Sequence, residues 1–339
     1  MPMVRWRAGR ATTFRVSDTL YVDHILEFTS AHGVNVDGVD LKDSKVSGAQ
    51  ATLSNSTPLV LGTTGQVTVA TPTSDGSDTI GLAICSGGTY SSARGAYIWM
   101  FGNEHDSAQG DLMLTAGNVA DGDILLATGG ATRVKVDYDG STAIGDGGTT
   151  NYTEFEADGT MEFNGAATVW DDVRVPLSTA KRIGNSDPDW EVFKNGVYAL
   201  AFDASTDQEV MFSVQMPHGW KLGSSLNPHV HWAPSTTDTG SVTWKLEYTI
   251  ANINGTFGNT VTLDVTDAGD GTAFKHQYAD LGDISMSGYT ASSDVSIMLM
   301  CRLYRDVDDG DDYADDAFAL EVDFHYEIDT VGSRAEASK

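Results

Sequence analysis

From Val242 to Ile250 every second residue is large and apolar. Val242, Trp244, Leu246, Tyr248 and Ile250 point one way, and Thr243, Lys245, Glu247 and Thr249 point the other. A period of two marks a strand with one face in a core; a helix repeats its faces every ~3.6 residues and cannot use such a pattern. Two more stretches share it. Val295, Ile297, Leu299, Cys301 and Leu303 form one, and Phe318, Leu320, Val322, Phe324, Tyr326 and Ile328 form the other, opposed by Ala319, Glu321, Asp323, His325 and Glu327. Candidate strands near 196–203, 209–216, 228–233, 260–265 and 276–280 bring the total to about eight, as a jelly roll requires. The expectation for 191–330 is therefore a compact antiparallel, jelly-roll-like β-sandwich head. Residues 169–190 read as an extended connector into it, and 331–339 as a tail.

The texture before residue 169 differs. YIWMF, DLMLTAG, DILLATGG, TRVKVDYDG and STAIG each carry a few large apolar residues and then Gly or a polar turn, in a chain with 36 Gly and only 8 Pro. Asp-Gly at Asp37-Gly38, Asp139-Gly140 and Asp158-Gly159, and Asn-Gly at Asn164-Gly165, read as tight turns between short strands. Their spacing is irregular, so they are related turns and not a strict repeat. Strands this short bury too little area within one chain to offset the entropy of ordering them. Three chains winding about a common axis would supply the missing walls and pair every strand edge. The sequence thus predicts an all-β protein, with a short-stranded intertwined trimeric β shaft over 61–168, an N-terminal β segment over 17–60 and the sandwich head behind them. A monomeric sandwich is the alternative.

Charge separates the chain differently. Against 48 Asp+Glu stand 20 Lys+Arg, a net −28, which argues against nucleic-acid binding because phosphate contacts need positive surface. Yet Arg5, Arg7, Arg10 and Arg15 precede the first acid, Asp18. Residues 1–16 form a basic arm that either docks on an acidic neighbour, with Trp6 as its apolar anchor, or is a solvated tail. No apolar run is long enough for membrane insertion and the start lacks the apolar stretch of a secretory signal, so the expectation is a soluble product of a cytoplasm. Cys85 and Cys301 lie far apart and read as buried free thiols.

GAYIWMFGNEHDSAQGDLMLTAGN (95–118) and TRVKVDYDGSTAIG (132–145) resemble segments of the fibre and tailspike proteins of tailed bacteriophages, in which a GNEH turn and a DG…IG ending mark successive shaft strands. TSAHGVNVDGVDLKDSKV (29–46) is similar to another phage segment, usually GVTIDGVLLKDG, with Ser44 standing where that pattern has Gly. QMPHGWKLGSSLNPHVHWAPSTTDTGSVTWKLEYTIAN (215–252) resembles a phage virion domain with a PHxHW strand followed by W.LEY. The resemblance implies a homotrimeric tail fibre, tailspike or head fibre, located on the virion. It would be attached by its N-terminus to other virion proteins of the capsid or tail, and its head would face a host receptor or a neighbouring virion protein. A capsid decoration protein and a polysaccharide-degrading tailspike are the alternatives.

The remaining candidates are weighed on their own chemistry. His229 and His231, at i and i+2, leave the same face of a strand. On a three-fold axis they would offer six nitrogens, a set suited to Fe(II) or Ni(II), as His-x-His pairs do in some phage fibres. Otherwise they hydrogen-bond at a subunit contact or face solvent. DVDDGDDYADD (306–316) puts Asp306, Asp308 and Asp309 before Gly310, like the opening of a calcium loop, but Gly falls one place early and no Glu follows at the twelfth position. A solvated hairpin loop is the alternative there. No cofactor is required by any of this. Acids are abundant but form no catalytic constellation, and no nucleophile elbow, phosphate loop or zinc-binding His/Glu helix is present, so the expectation is not an enzyme.

Overall fold

The computed structural model describes residues 69–71 and 73–339. The arm residues Arg5, Trp6, Arg7, Arg10 and Arg15, the segment 17–60 with Asp37-Gly38, and residues 61–68 of the expected shaft lie outside the described residues. The elements below belong to one unit, Ala70–Lys339. It is all-β, with antiparallel sheets and two single-turn 3-10 helices at Gly165–Ala167 and Leu177–Thr179. Among the described residues no helix is long and apolar enough to cross a membrane.

Two meanders come first. One joins β1 (Gly81–Cys85), β2 (Tyr97–Phe101) and β3 (Leu112–Thr115). The other joins β4 (Ile124–Thr128), β5 (Ala131–Val136), β6 (Thr142–Gly145), β7 (Tyr152–Phe155) and β8 (Met161–Asn164). The β5–β6 and β7–β8 turns are the same device. Gly140 N–H donates to the Asp137 carbonyl and Asp137 N–H to that of Ser141; Gly159 and Glu156 do likewise toward Glu156 and Thr160. Gly140 and Gly159 sit at φ +98° and +87°, where a side chain would strain the backbone, and Asp139 and Asp158 each accept the N–H two residues ahead. Asn164-Gly165 differs from the expected hairpin turn, because it ends β8 and opens a 3-10 turn. Neither meander closes a core: among the described residues up to 168 only Ala143 is buried.

The head follows. β9 (Val169–Pro176) and β10 (Asp189–Lys194) lead into eight strands: β11 (Val197–Phe202), β12 (Gln208–Gln215), β13 (Asn227–Pro234), β14 (Ser241–Ala251), β15 (Val261–Ala268), β16 (Gln277–Asp280), β17 (Met298–Arg305) and β18 (Ala317–Ile328). They form two sheets in the orders β11-β18-β13-β16 and β12-β17-β14-β15, with successive strands switching sheet except at the β14–β15 hairpin. This is the strand order of a jelly roll. The expected connector is corrected. Residues 169–176 pair with β18 from Glu321 to Ile328, because Val173 and Val175 pack on the core while Asp172 and Arg174 face out. The expected tail 331–339 also has partners: Lys339 Nζ donates to the Trp220 carbonyl (2.6 Å), and Arg334 pairs with Glu156 and Asp158 beside β7.

Trp220, Trp232 and Trp244 are fully buried, with ring centroids of Trp232 and Trp244 6.4 Å apart and Phe202 5.2 Å from Trp244. One expected alternation breaks. His231 pairs with Glu321 but Trp232 with Ala319, so Leu320 is an extra residue, a bulge that reverses the faces of β18. Val322, Phe324 and Tyr326 enter the main core. Phe318 instead packs with Ala201 and Ala233, against Phe193 and Phe274, in a second cluster. Cys301 is buried, its thiol pushed up to about 12 by burial, whereas Cys85 is exposed and not the buried thiol expected.

The acidic stretch after β17 is organised by Arg305, which is fully buried. Its Nε and Nη2 grip both Asp311 oxygens at 2.8 Å, and its remaining N–H groups reach the carbonyls of Phe202 (3.0 Å), Asp315 (2.9 Å) and Tyr313 (2.6 Å). All donors of the guanidinium are thereby used. Arg305→Ala is expected to lower the unfolding free energy in urea, followed by tryptophan fluorescence, by about 3–5 kcal/mol, since Asp311 would be left buried and unpaired. Arg174→Ala removes an exposed pair with Glu321 and should cost less than about 1 kcal/mol.

Candidate functional site

The polar side chains of four adjacent strands, β9, β18, β13 and β16, cover the outer face of the first sheet. Pairing sets them in rows. Arg174, Asp323, His229 and Asp280 occupy one, while Glu321, His231 and Tyr278 lie in the next. Directly paired side chains in such a ladder stand about 4.5–5.5 Å apart at Cβ, close enough for one carboxylate to meet several imidazoles.

Asp323 is that carboxylate. Only 5% of it is exposed. His231 Nε2 lies 2.9 Å from its Oδ2, His325 Nε2 3.5 Å from the same oxygen, and His229 Nδ1 3.6 Å from Oδ1. Oδ1 itself is buried with no hydrogen-bond partner. The outer nitrogens are also engaged: Asp280 Oδ1 lies 3.8 Å from His229 Nε2, and His276 Nε2 lies 2.7 Å from His231 Nδ1. Asp172 Oδ1 is 3.2 Å from His325 Nε2. Burial, and next the neighbouring His325, hold His229 below the ordinary imidazole pKa, which favours its neutral form. Two imidazoles and a carboxylate, His229, His325 and Asp323, bring ligand atoms within 4.8 Å of one another.

His229 and His231 therefore share a face, as their spacing predicts, and within this chain they meet Asp323, His325 and His276. Asp323, His325 and His276 escaped the sequence reading. The first two were visible as i and i+2 on the polar face of β18; what the alternation could not show is that β13 lies beside them.

Asp306, Asp308 and Asp309 do not assemble into the calcium-loop opening their order resembles. Asp306 and Asp309 both hold the Lys245 ammonium, at 2.7 and 2.8 Å, so a lysine takes the place of the cation. The Lys245 charge in turn holds the Asp306 carboxyl below the usual range. Asp308 contributes its backbone N–H to Asp306 Oδ1. In DAGDGT, Asp267 accepts the indole N–H of buried Trp232 (2.7 Å).

No protein-family model and no curated protein matches the sequence. Among solved structures, the chain is similar to a carbohydrate-binding module specific for non-crystalline cellulose, at 14% identity over 45% of this chain and 88% of that one, with a TM-score of 0.22. An exo-β-1,3-galactanase from Phanerochaete chrysosporium matches at 10% identity over 73% of this chain and 54% of its own, with a TM-score of 0.25. Carbohydrate-binding modules of a β-sandwich superfamily match at 8% identity over 75% and 99%, with a TM-score of 0.19. Superpositions this slight say nothing about what this chain binds.

Because Lys245 already occupies Asp306 and Asp309, calcium at about 1 mM, the range of weak oxygen-ligand sites, should leave the thermal unfolding midpoint where it is. A calcium-dependent rise would mean that Asp306 and Asp309 release Lys245 for the ion.

Proposed function

We propose that the chain is a structural protein of a tailed-phage virion and works as a homotrimer. The arm 1–16 anchors it to the particle, the meanders form an interchain shaft, and the jelly roll presents its loops to a host receptor or a neighbouring virion protein. Its work is mechanical and adhesive. One observation carries this reading: the meanders are well-formed strands without a core. Leu112 is 63% exposed, Ile84 58% and Leu125 56%, and Ile98, Leu114, Leu126, Ile144 and Phe155 stand in solvent with them. Burying one such side chain contributes roughly 1.5–3 kcal/mol, and nothing within the meanders of one chain covers them. Copies of the same chain do so without requiring any other protein, and the resemblance of 95–118, 132–145 and 215–252 to phage fibre segments supplies the virion setting.

Light scattering on the purified chain should give three times 36.1 kDa, with no folded monomer on dilution. A stable monomer with intact meanders would refute the shaft. Deleting 1–16 should leave the trimer whole but absent from particles. Deleting the head separates receptor binding from capsid decoration: particles that are intact but fail to adsorb favour the fibre, and fragile capsids favour decoration.

A further inference from the structure

Asp323 is almost fully buried, has one oxygen without a hydrogen bond, faces imidazoles on both sides and pairs with no Lys or Arg among the described residues. Arg174 stands beside Asp323 in the ladder but turns its guanidinium to Glu321, bonding both oxygens at 2.6 and 2.9 Å. We propose that His229, Asp323 and His325 of a single chain bind a divalent transition metal of the zinc class, pinning β13 to β18 on the outer face of the head.

The distances suit it. Zinc bonded at about 2.0–2.1 Å to tetrahedral ligands separates them by about 3.4 Å. The observed 3.6 Å from His229 Nδ1 to Asp323 Oδ1 and 3.5 Å from His325 Nε2 to Asp323 Oδ2 are close to this, and one ligand atom from each of the three residues lies within 4.8 Å of the others. The donors are also of the right kind, since two imidazoles and one carboxylate are a recurrent set for zinc with a fourth position left open. Two ligands have an outer partner to orient them, since Asp280 faces the second nitrogen of His229 and His231 bonds Asp323 Oδ2, whereas Asp172 sits on the same His325 Nε2 that approaches Asp323 and gives that nitrogen up to the metal. His231, occupied by Asp323 and His276, orients and does not ligate. The site is complete in one chain, so it stands whether or not the chain trimerises.

The test uses the full-length chain made without a histidine tag, stripped with chelator and titrated with zinc chloride by calorimetry. One zinc per chain is expected, with a rise in melting temperature on saturation. Asp323→Asn and His325→Gln should each weaken binding by about 100-fold or more, beyond the 10–100-fold that loss of an outer partner costs. His276→Gln, which touches only His231, should change affinity by less than about tenfold. Should a variant misfold, the wild type still gives a reading: zinc should shield His229 and His325 from diethyl pyrocarbonate, mapped by peptide mass, and leave His105 reactive. Absence of saturable binding, one zinc per three chains, no shielding of His229 and His325, or full affinity in the Asp323→Asn/His325→Gln double variant would each overturn the proposal.

Discussion

The hydrogen bonding of β18 along both of its edges is what the head is assembled on. β13 runs beside it on one edge from Ala317 to His325, while β11 and then β9 share the other edge end to end. One strand thereby fixes the register of three others. Because the pleat sends alternate side chains to opposite faces, the same ladder delivers Val322, Phe324 and Tyr326 to the core and Asp323 and His325 to the histidine-rich face. The bulge at Leu320 limits this arrangement. Beyond it the faces exchange, and the outer side of β18 becomes the apolar cluster around Phe318.

A chain with 48 acids and 20 basic residues cannot pair most of its carboxylates with cations. It pairs a few of them well, Asp311 with buried Arg305 above all, and Asp306 and Asp309 with Lys245. Many of the others bond backbone N–H groups in turns. Asp146 accepts from Thr149, Thr150 and Asn151, which holds its carboxyl below the usual range, Asp187 accepts from Ile183 and Gly184, and Asp238 accepts from Gly240 and Ala314. Acid abundance is in large part turn chemistry. Asp323 departs from this pattern, being buried, short of donors and surrounded by imidazoles.

The two parts of the described chain meet the cost of ordering the backbone in opposite ways. The head buries three tryptophans and the inward faces of the eight jelly-roll strands within one molecule. The meanders satisfy their backbone by pairing and their corners by glycine, yet leave their apolar side chains in solvent. Gly102, just after β2, sits so close to the segment before β1 that a Cβ there would run into the Asp78 carbonyl. Backbone geometry in the meanders is settled locally, and side-chain burial is not.

Periodicity and turn chemistry are local, and what they govern was legible in the sequence. The all-β class, the alternation of Val242–Ile250 and Val295–Leu303, the approximate positions of β11–β17, the turns at Asp139-Gly140 and Asp158-Gly159 and the want of a core among the described residues before 169 follow from neighbours along the chain. Strand pairing is not local. That 169–176 completes a sheet, that Leu320 bulges and reverses Phe318, and that Lys245 reaches the acids after β17 depend on residues far apart in sequence becoming neighbours across ladders. The histidine-rich face divides along the same line. The i, i+2 spacing placed His229 and His231 on one side of a strand, but only the pairing of β13 with β18 brought Asp323 and His325 to them. A strand's sequence states which face each side chain takes and is silent about which strand lies beside it.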